Sequence, residues 1–311
     1  MPTTVTLRTS AFKQVDVFTS TRFAGNPLAV ILDAEGLPDA DMQRIAAWTN
    51  LSETTFVLPP TQAAASYRVR IFTPRTELRF GGHPSVGTAH ALIEAGRIDP
   101  DKPLVQECAA GLLPLRLAGD GNDRRIFVRA PPARVHPPDA RIGAAVWHAL
   151  AIEPRAAHPP RIVDNGLNWI ICDLGDEPTV RTLAPDMAAL ASLSVEAAAI
   201  GICAFGRAQD QDYQIVVRAF APADGVPEDP VTGSANAAIG AYLLATGQLD
   251  AIGTSYRASQ GRELGRDGCV DVCVDAASGA IEIGGRSATC LDGTLILPRH
   301  QDRSADATAG F

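Results

Sequence analysis

Lysine is almost missing from this chain: only Lys13 and Lys102 occur among 311 residues, and aromatic side chains make up 5%. Both lysines sit in polar, surface-like contexts, which leaves little for Schiff-base chemistry. Cysteine is sparse too. Six in a chain this long are too few for a disulfide framework, and they read as thiols filling the core. Cys269 and Cys273 fall in the alternating segment Cys-Val-Asp-Val-Cys-Val-Asp, which predicts a strand with both sulfurs on its apolar face and no further ligand for zinc. No apolar run reaches the roughly 18–20 residues that cross a bilayer. The richest stretch, 187–205, is interrupted by Glu196 and Gly201. A net charge of −8 has the wrong sign for a nucleic-acid groove. The first residues lack the basic-then-apolar pattern of a secretory signal, and there is no lipidation or retrieval motif. A cytoplasmic protein without nucleic-acid or membrane partners is expected.

Several chemistries lack their motifs. The glycine pairs in Gly119-Asp120-Gly121 and Gly284-Gly285 look like hairpin turns, and neither stands between a strand and a helix as a nucleotide loop would. His90, His136, His148, His158 and His300 show no zinc or facial-triad spacing, and there is no Gly-x-Ser-x-Gly elbow. Neither a metal nor an organic cofactor is implied.

What the chain does have is apolar residues, 46%, over a length sufficient for two cores. Laid against itself, it repeats once. In the first half, strands at Asn26–Leu32, Thr54–Leu58 and Tyr67–Phe72 surround a helical stretch from Pro38 to about Trp48. In the second, strands at Asn168–Leu174, Ala199–Phe205 and Tyr213–Phe220 surround a helical Ala184–Leu193. Asn26/Asn168, Tyr67/Tyr213, Phe72/Phe220 and Gly87/Gly233 anchor the two copies. Each half then closes with a helical segment of Gly, Ala, Ser and Leu, with hardly a charge before Glu94 and none before Asp250. A helix with no polar face is buried all round, and one built of Gly and Ala is thin enough for strands to curl about it. Proline pairs at 131–132, 137–138 and 159–160 mark the crossover, with one helix at about Arg141–Ala151. The domains are read as an N-terminal lobe at 1–128, completed by about 289–300, and a C-terminal lobe at 129–288. Residues 301–311, small and polar, read as a frayed tail.

Candidate chemistry gathers where the two buried helices begin, at Gly82-His83-Pro84 and at Glu228-Asp229-Pro230, each with a proline suited to a first turn. Free N–H groups and the helix dipole favour an anion there. If a two-fold axis relates the halves, the starts face one another across a cleft that suits a carboxylate. Plainer roles stay open: Asp229 as an N-cap, His83 as a loop histidine and Ser234 as a small packing residue. Glu53 lies between a helix end and an apolar strand, where partial burial would raise its pKa into the range useful for moving protons. The matching point of the second half, near 197–199, has no acid, which points to one-base chemistry.

Val15-Asp16-Val17-Phe18, Phe23-Ala24-Gly25-Asn26-Pro27-Leu28-Ala29-Val30, Asn50-Leu51-Ser52-Glu53-Thr54, Phe72-Thr73-Pro74, Gly82-His83-Pro84 and Glu228-Asp229-Pro230-Val231-Thr232-Gly233-Ser234-Ala235 together resemble the PhzF-like isomerases of phenazine biosynthesis. That family shares the diaminopimelate epimerase fold. The resemblance implies an α+β fold of two pseudo-symmetric domains, each a mixed barrel-like β-sheet wrapped around a central α-helix, and commonly a homodimer. It places the proton-shuttling glutamate at Glu53 and substrate contacts at His83, Asp229 and Ser234, with Gly82 and Gly233 at the helix starts. The epimerases carry a cysteine at each helix start, where this chain has Gly81 and Asp229, so two-thiol racemisation is excluded. The function expected is cofactor-independent isomerisation of a small carboxylate-bearing metabolite. The alternatives are a catalytically idle metabolite-binding or scaffold member of the same fold, or a thiol-independent epimerase or dehydratase.

Overall fold

The computed structural model describes residues 6–154, 158–209 and 211–299. His300 and the tail at 301–311 lie outside the described residues. The first half comprises β1 (Thr6–Val17), β2 (Asn26–Ile31), α1 (Asp39–Thr49), β3 (Glu53–Leu58), β4 (Tyr67–Phe72), β5 (Glu77–Leu78), α2 (Gly82–Glu94), β6 (Leu104–Cys108), β7 (Gly111–Ala118) and β8 (Arg125–Arg129). The second half begins with β9 (Arg134–Val135), α3 (Ala140–Leu150), β10 (Arg161–Asp164), β11 (Asn168–Asp176), α4 (Glu177–Arg181), α5 (Met187–Glu196), β12 (Gly201–Arg207) and β13 (Ile215–Ala221). It continues with β14 (Val226–Asp229), α6 (Gly233–Ala245), α7 (Leu249–Ile252), β15 (Ser255–Gln260), β16 (Gly268–Val274), β17 (Ile281–Gly285) and β18 (Ser287–Arg299).

One pairing scheme occurs twice. β2 runs parallel to β3, β3 antiparallel to β4, β4 parallel to β6, and β6, β7 and β8 follow antiparallel. β11, β12, β13, β15, β16 and β17 repeat the same sequence of directions. The parallel pairs β2–β3 and β11–β12 are buried on both faces for most of their length and lack polar alternation, as strands covered on both sides do. Each sheet curls around its charge-poor helix: residues 82–89 of α2 and 235–243 of α6 are buried. The fold is thus α+β, two pseudo-symmetric lobes with a helix inside each curled sheet. Antiparallel pairing of β8 with β17 makes the sheet continuous between the halves, and β18 lies antiparallel to β1.

Four expectations need correction. In β16 the alternation buries Val270, Val272 and Val274, leaving Cys269 and Cys273 with Asp271 on the less buried face. Residues two apart share a face, so the sulfurs sit with the aspartate and not with the valines. Gly284-Gly285 is no hairpin turn but the end of β17 at the lobe junction, where a Cβ on Gly284 would stand 2.4 Å from the Ile126 carbonyl oxygen. Lys13 is buried at 4% exposure and bridges Glu94 at 2.9 Å and Asp292 at 2.7 Å. Burial pulls its pKa down, but those two partners outweigh it, so the amine is held charged. Finally, the helix starts align Gly82, not Gly87, with Gly233.

The register also relocates the counterpart of Glu53. Thr54 pairs with Phe72 and Ile202 with Phe220, so Glu53 corresponds to Gly201 and not to 197–199. A Cβ on Gly201 would lie 2.1 Å from the Phe220 carbonyl oxygen and 2.9 Å from the Trp169 ring. No side chain fits, so only the first lobe can present an acid at this point. Gly201→Ala is expected to cost about 1–3 kcal/mol through overpacking, read by denaturant unfolding; an unchanged midpoint would show that the strands part readily here.

Candidate active site

Both central helices start without a side-chain cap: Gly81 is the N-cap of α2 and Thr232 that of α6. Asp229 is therefore not a cap. It closes β14, and α6 begins four residues later, so Pro230 precedes the helix and does not occupy its first turn. The first-turn N–H groups of an uncapped helix have no intrahelical acceptor and carry the positive end of its dipole. The two starts meet. A Cβ on Gly82 would stand 3.8 Å from the Gly233 Cα and 2.9 Å from Ile283 Cδ1, and one on Gly233 would stand 3.4 Å from the His83 nitrogen. Glycine at both positions permits this approach.

A cavity of about 510 Å³ opens at that meeting point, and Glu53, Gly82, His83, Asp229, Gly233 and Ser234 all line it. All six sequence-predicted residues are thus brought together. Its remaining walls are largely apolar, including Leu78, Phe80, Ala130, Pro131 and Leu167. Size and lining suit a small organic ligand.

Glu53, the first residue of β3, is set into the cleft by β2, whose Leu28 pairs with it. Its Oε2 lies 3.2 Å from His83 Nε2, without the alignment of a hydrogen bond, and neither buried atom has another partner among the described residues. Burial, with the nearby Asp229 charge adding to it, pushes the Glu53 carboxyl up to about 8. Burial pushes the His83 imidazole down to about 3. Near pH 7 the contact is accordingly a neutral acid against a neutral base rather than an ion pair. Burial likewise raises Asp229 to about 6, with hydrogen bonds from Thr232 and Asn26 pulling it back and the Glu228 charge adding to the rise.

Asp229 is held by a network that sequence reasoning left out. Asn26 Nδ2 donates to its Oδ1 at 3.0 Å and to the Val231 carbonyl at 2.8 Å, and the Thr232 hydroxyl donates to Oδ2. Gln260 Nε2 in turn donates to the Thr232 hydroxyl and to the Asp229 carbonyl, each at 2.9 Å. Ser234 is pinned from the other side: Trp169 Nε1 donates to its hydroxyl at 3.1 Å and Asn165 Nδ2 to its carbonyl at 2.8 Å. Asn26 had a signal in the sequence, as an amide opening an otherwise apolar strand, whereas Gln260 closes the mixed strand Ser-Tyr-Arg-Ala-Ser-Gln and had none. Such groups are buried only when they have partners.

The chain matches the family described as phenazine biosynthesis-like protein over residues 15–293. It is 38% identical over 295 residues to antisense-enhancing sequence 1 of Schizosaccharomyces pombe, covering 92% of this chain and 99% of that protein. It is 33% identical over 288 residues to trans-2,3-dihydro-3-hydroxyanthranilate isomerase of Pseudomonas fluorescens, covering 91% and 98%. The crystal structure of a Bacillus anthracis phenazine biosynthesis protein of the PhzF family superposes with a TM-score of 0.80 at 27% identity, covering 93% and 99%. The chain belongs to the phenazine biosynthesis-like, or PhzF, family and is an enzyme of the isomerase class.

Proposed function

We propose that this chain is a cofactor-independent isomerase that moves a proton between two carbons of a small carboxylate-bearing substrate, with Glu53 carrying the proton. The observation behind this reading is the placement of a buried Glu53 against His83 in a cavity closed by two uncapped helix starts. The substrate carboxylate sits against the first-turn N–H groups and the Ser234 hydroxyl, where dipole and donors both favour an anion. Ionised Glu53 removes a proton from a carbon made acidic by an adjacent unsaturated system and returns it at a second carbon, so no electron acceptor is needed. His83 and the helix-end amides stabilise the negative charge spread over the substrate between the two transfers, while Asp229, an acceptor once ionised, holds a hydrogen-bond donor of the substrate in place. The cyclic amino acid named for the Pseudomonas relative, trans-2,3-dihydro-3-hydroxyanthranilate, is the first substrate to test.

The pH dependence follows from sign. A base pushed up to about 8 is about one-tenth ionised at pH 7, so kcat/KM should rise with pH and level off above about 8. The Asp229 charge contributes to that upward shift, so Asp229→Asn should move the rising limb to lower pH. Solvent-deuterium incorporation into the substrate, followed from pH 5 to 10, reads both. A limb that stays in place or moves upward in Asp229→Asn would remove Asp229 from the electrostatics of the base.

A further inference from the structure

A second cavity, of about 150 Å³, is lined in part by Phe18, whose ring also stands beside the α6 start, and is built quite differently. Four arginines line it: Arg125 from β8, Arg257 from β15, and Arg262 and Arg286 from the turns beyond β15 and β17. Three carboxylates, Asp212, Asp267 and Asp271, line it too, and with Asp123, which pairs with Arg286 from outside the lining, they match the arginines in number. The residues come from both halves, since Phe18–Thr21 and Arg125 face Asp212–Tyr213 and the β15–β16 segment.

The guanidiniums are only partly committed. Arg257 Nη1 donates to Asp212 Oδ2 at 2.7 Å and to its carbonyl at 3.0 Å. Arg262 donates to Asp267 at 2.7 Å and to the Tyr213 hydroxyl at 3.0 Å. Arg286 reaches Asp123 at 3.0 Å. Asp271, 13% exposed, stands 3.6 Å from both Arg125 and Arg257, beyond direct hydrogen bonding. Each guanidinium has five N–H donors, more than these contacts use, and among the described residues the buried Nε–H groups of Arg257 and Arg286 have no hydrogen-bond acceptor, the Arg257 Nε facing Asp271 only at ion-pair distance. The cation alternative fails because no group of three or more His, Cys, Asp or Glu that could hold a metal exists among the described residues.

We infer that this arginine-lined cavity is a second anion site, separate from the substrate cleft, that takes a phosphoryl group as free phosphate or as a small phosphate monoester. The space holds a tetrahedral oxyanion but falls below the range of pockets that enclose whole drug-sized molecules. Guanidinium forks match phosphate oxygens in pairs, and such charge-assisted bonds are the strong ones.

The test must separate this site from the helix starts, which also favour anions. Calorimetric titration of the full chain with inorganic phosphate at fixed ionic strength should show one saturable site. Arg125→Gln with Arg257→Gln should weaken it about tenfold or more, whereas Ser234→Asp, which sets a carboxylate at the α6 start, should leave it unchanged. If the double variant does not fold, Arg262→Gln carries the test: its side chain is 44% exposed and threefold or greater weakening is expected. Tighter binding of glycerol 3-phosphate than of phosphate identifies an ester; equal or weaker binding identifies the free ion. Phosphate binding that survives the arginine variants, that vanishes with Ser234→Asp, or that is absent from the wild type would overturn the site.

Discussion

Glu53→Gln is expected to lower proton exchange by about 10²–10⁴-fold, the range that a positioned acid or base contributes, while leaving the protein more stable. The two effects share one cause. The carboxyl has an ordinary value of 4.5 and is pushed up to about 8 in the fold, chiefly by burial. Between those values the native state keeps a proton that the unfolded chain releases, so wild-type stability falls as pH rises from about 4.5 to 8. Glutamine has no proton to keep. At pH 7 the variant should gain on the order of 1–3 kcal/mol, discounted because the side chain keeps 17% of its surface exposed. At pH 4 the gain should vanish. Exchange assays alongside denaturant unfolding at the two pH values separate lost chemistry from lost structure. Full exchange in a folded Glu53→Gln would end the proposal for this residue.

Much of this site was legible because its residues lie where local rules change. Glu53 interrupts the passage from a helix to a strand of buried residues, and His83 and Ser234 sit in the first turn of helices that have no polar face. Each is conspicuous in a single stretch of sequence. The strand-helix order of the repeat was legible for the same reason, since hydrophobic period and turn residues are local signals.

What escaped was information carried by pairing and by neighbours distant in the chain. Gly201 is the counterpart of Glu53 only through strand register, and the clash that forbids a side chain there comes from Phe220 and Trp169. Lys13 looked like a surface residue because Glu94 and Asp292, which permit its burial, lie far along the chain. The cysteines of β16 lie on the face opposite to the one the alternation suggests, because valine, with aspartate opposing it, decides which face turns inward. A cap role stayed open for Asp229 beside the substrate-contacting one, since an acid before proline often is a cap. The three residues that follow carry the chain from β14 to α6 and leave the carboxylate to Asn26 and Thr232.

Glu228→Ala should be among the most damaging substitutions outside the cleft, at about 3–5 kcal/mol. Adjacent residues of a strand point to opposite faces, so the two acids at the end of β14 have different fates: Asp229 enters the cleft and Glu228 turns to Arg218 on β13. Arg218 meets Glu228 as a two-bond fork, at 2.9 Å and 2.8 Å, with side-chain exposures of 8% and 7%. Its remaining Nη1 donates to the Leu183 carbonyl at 2.7 Å, so the guanidinium cannot turn outward without breaking that bond. Truncating Glu228 leaves a desolvated positive charge with no counterion, and it is this residue, rather than the lost pair itself, that sets the cost. Combining Arg218→Leu with Glu228→Leu removes both charges and should recover most of the loss. Denaturant unfolding of the single and double variants measures the difference. A single variant within 1 kcal/mol of wild type, or a double variant no better than the single, would mean that water reaches this pair and that Glu228 holds β14 by something other than charge.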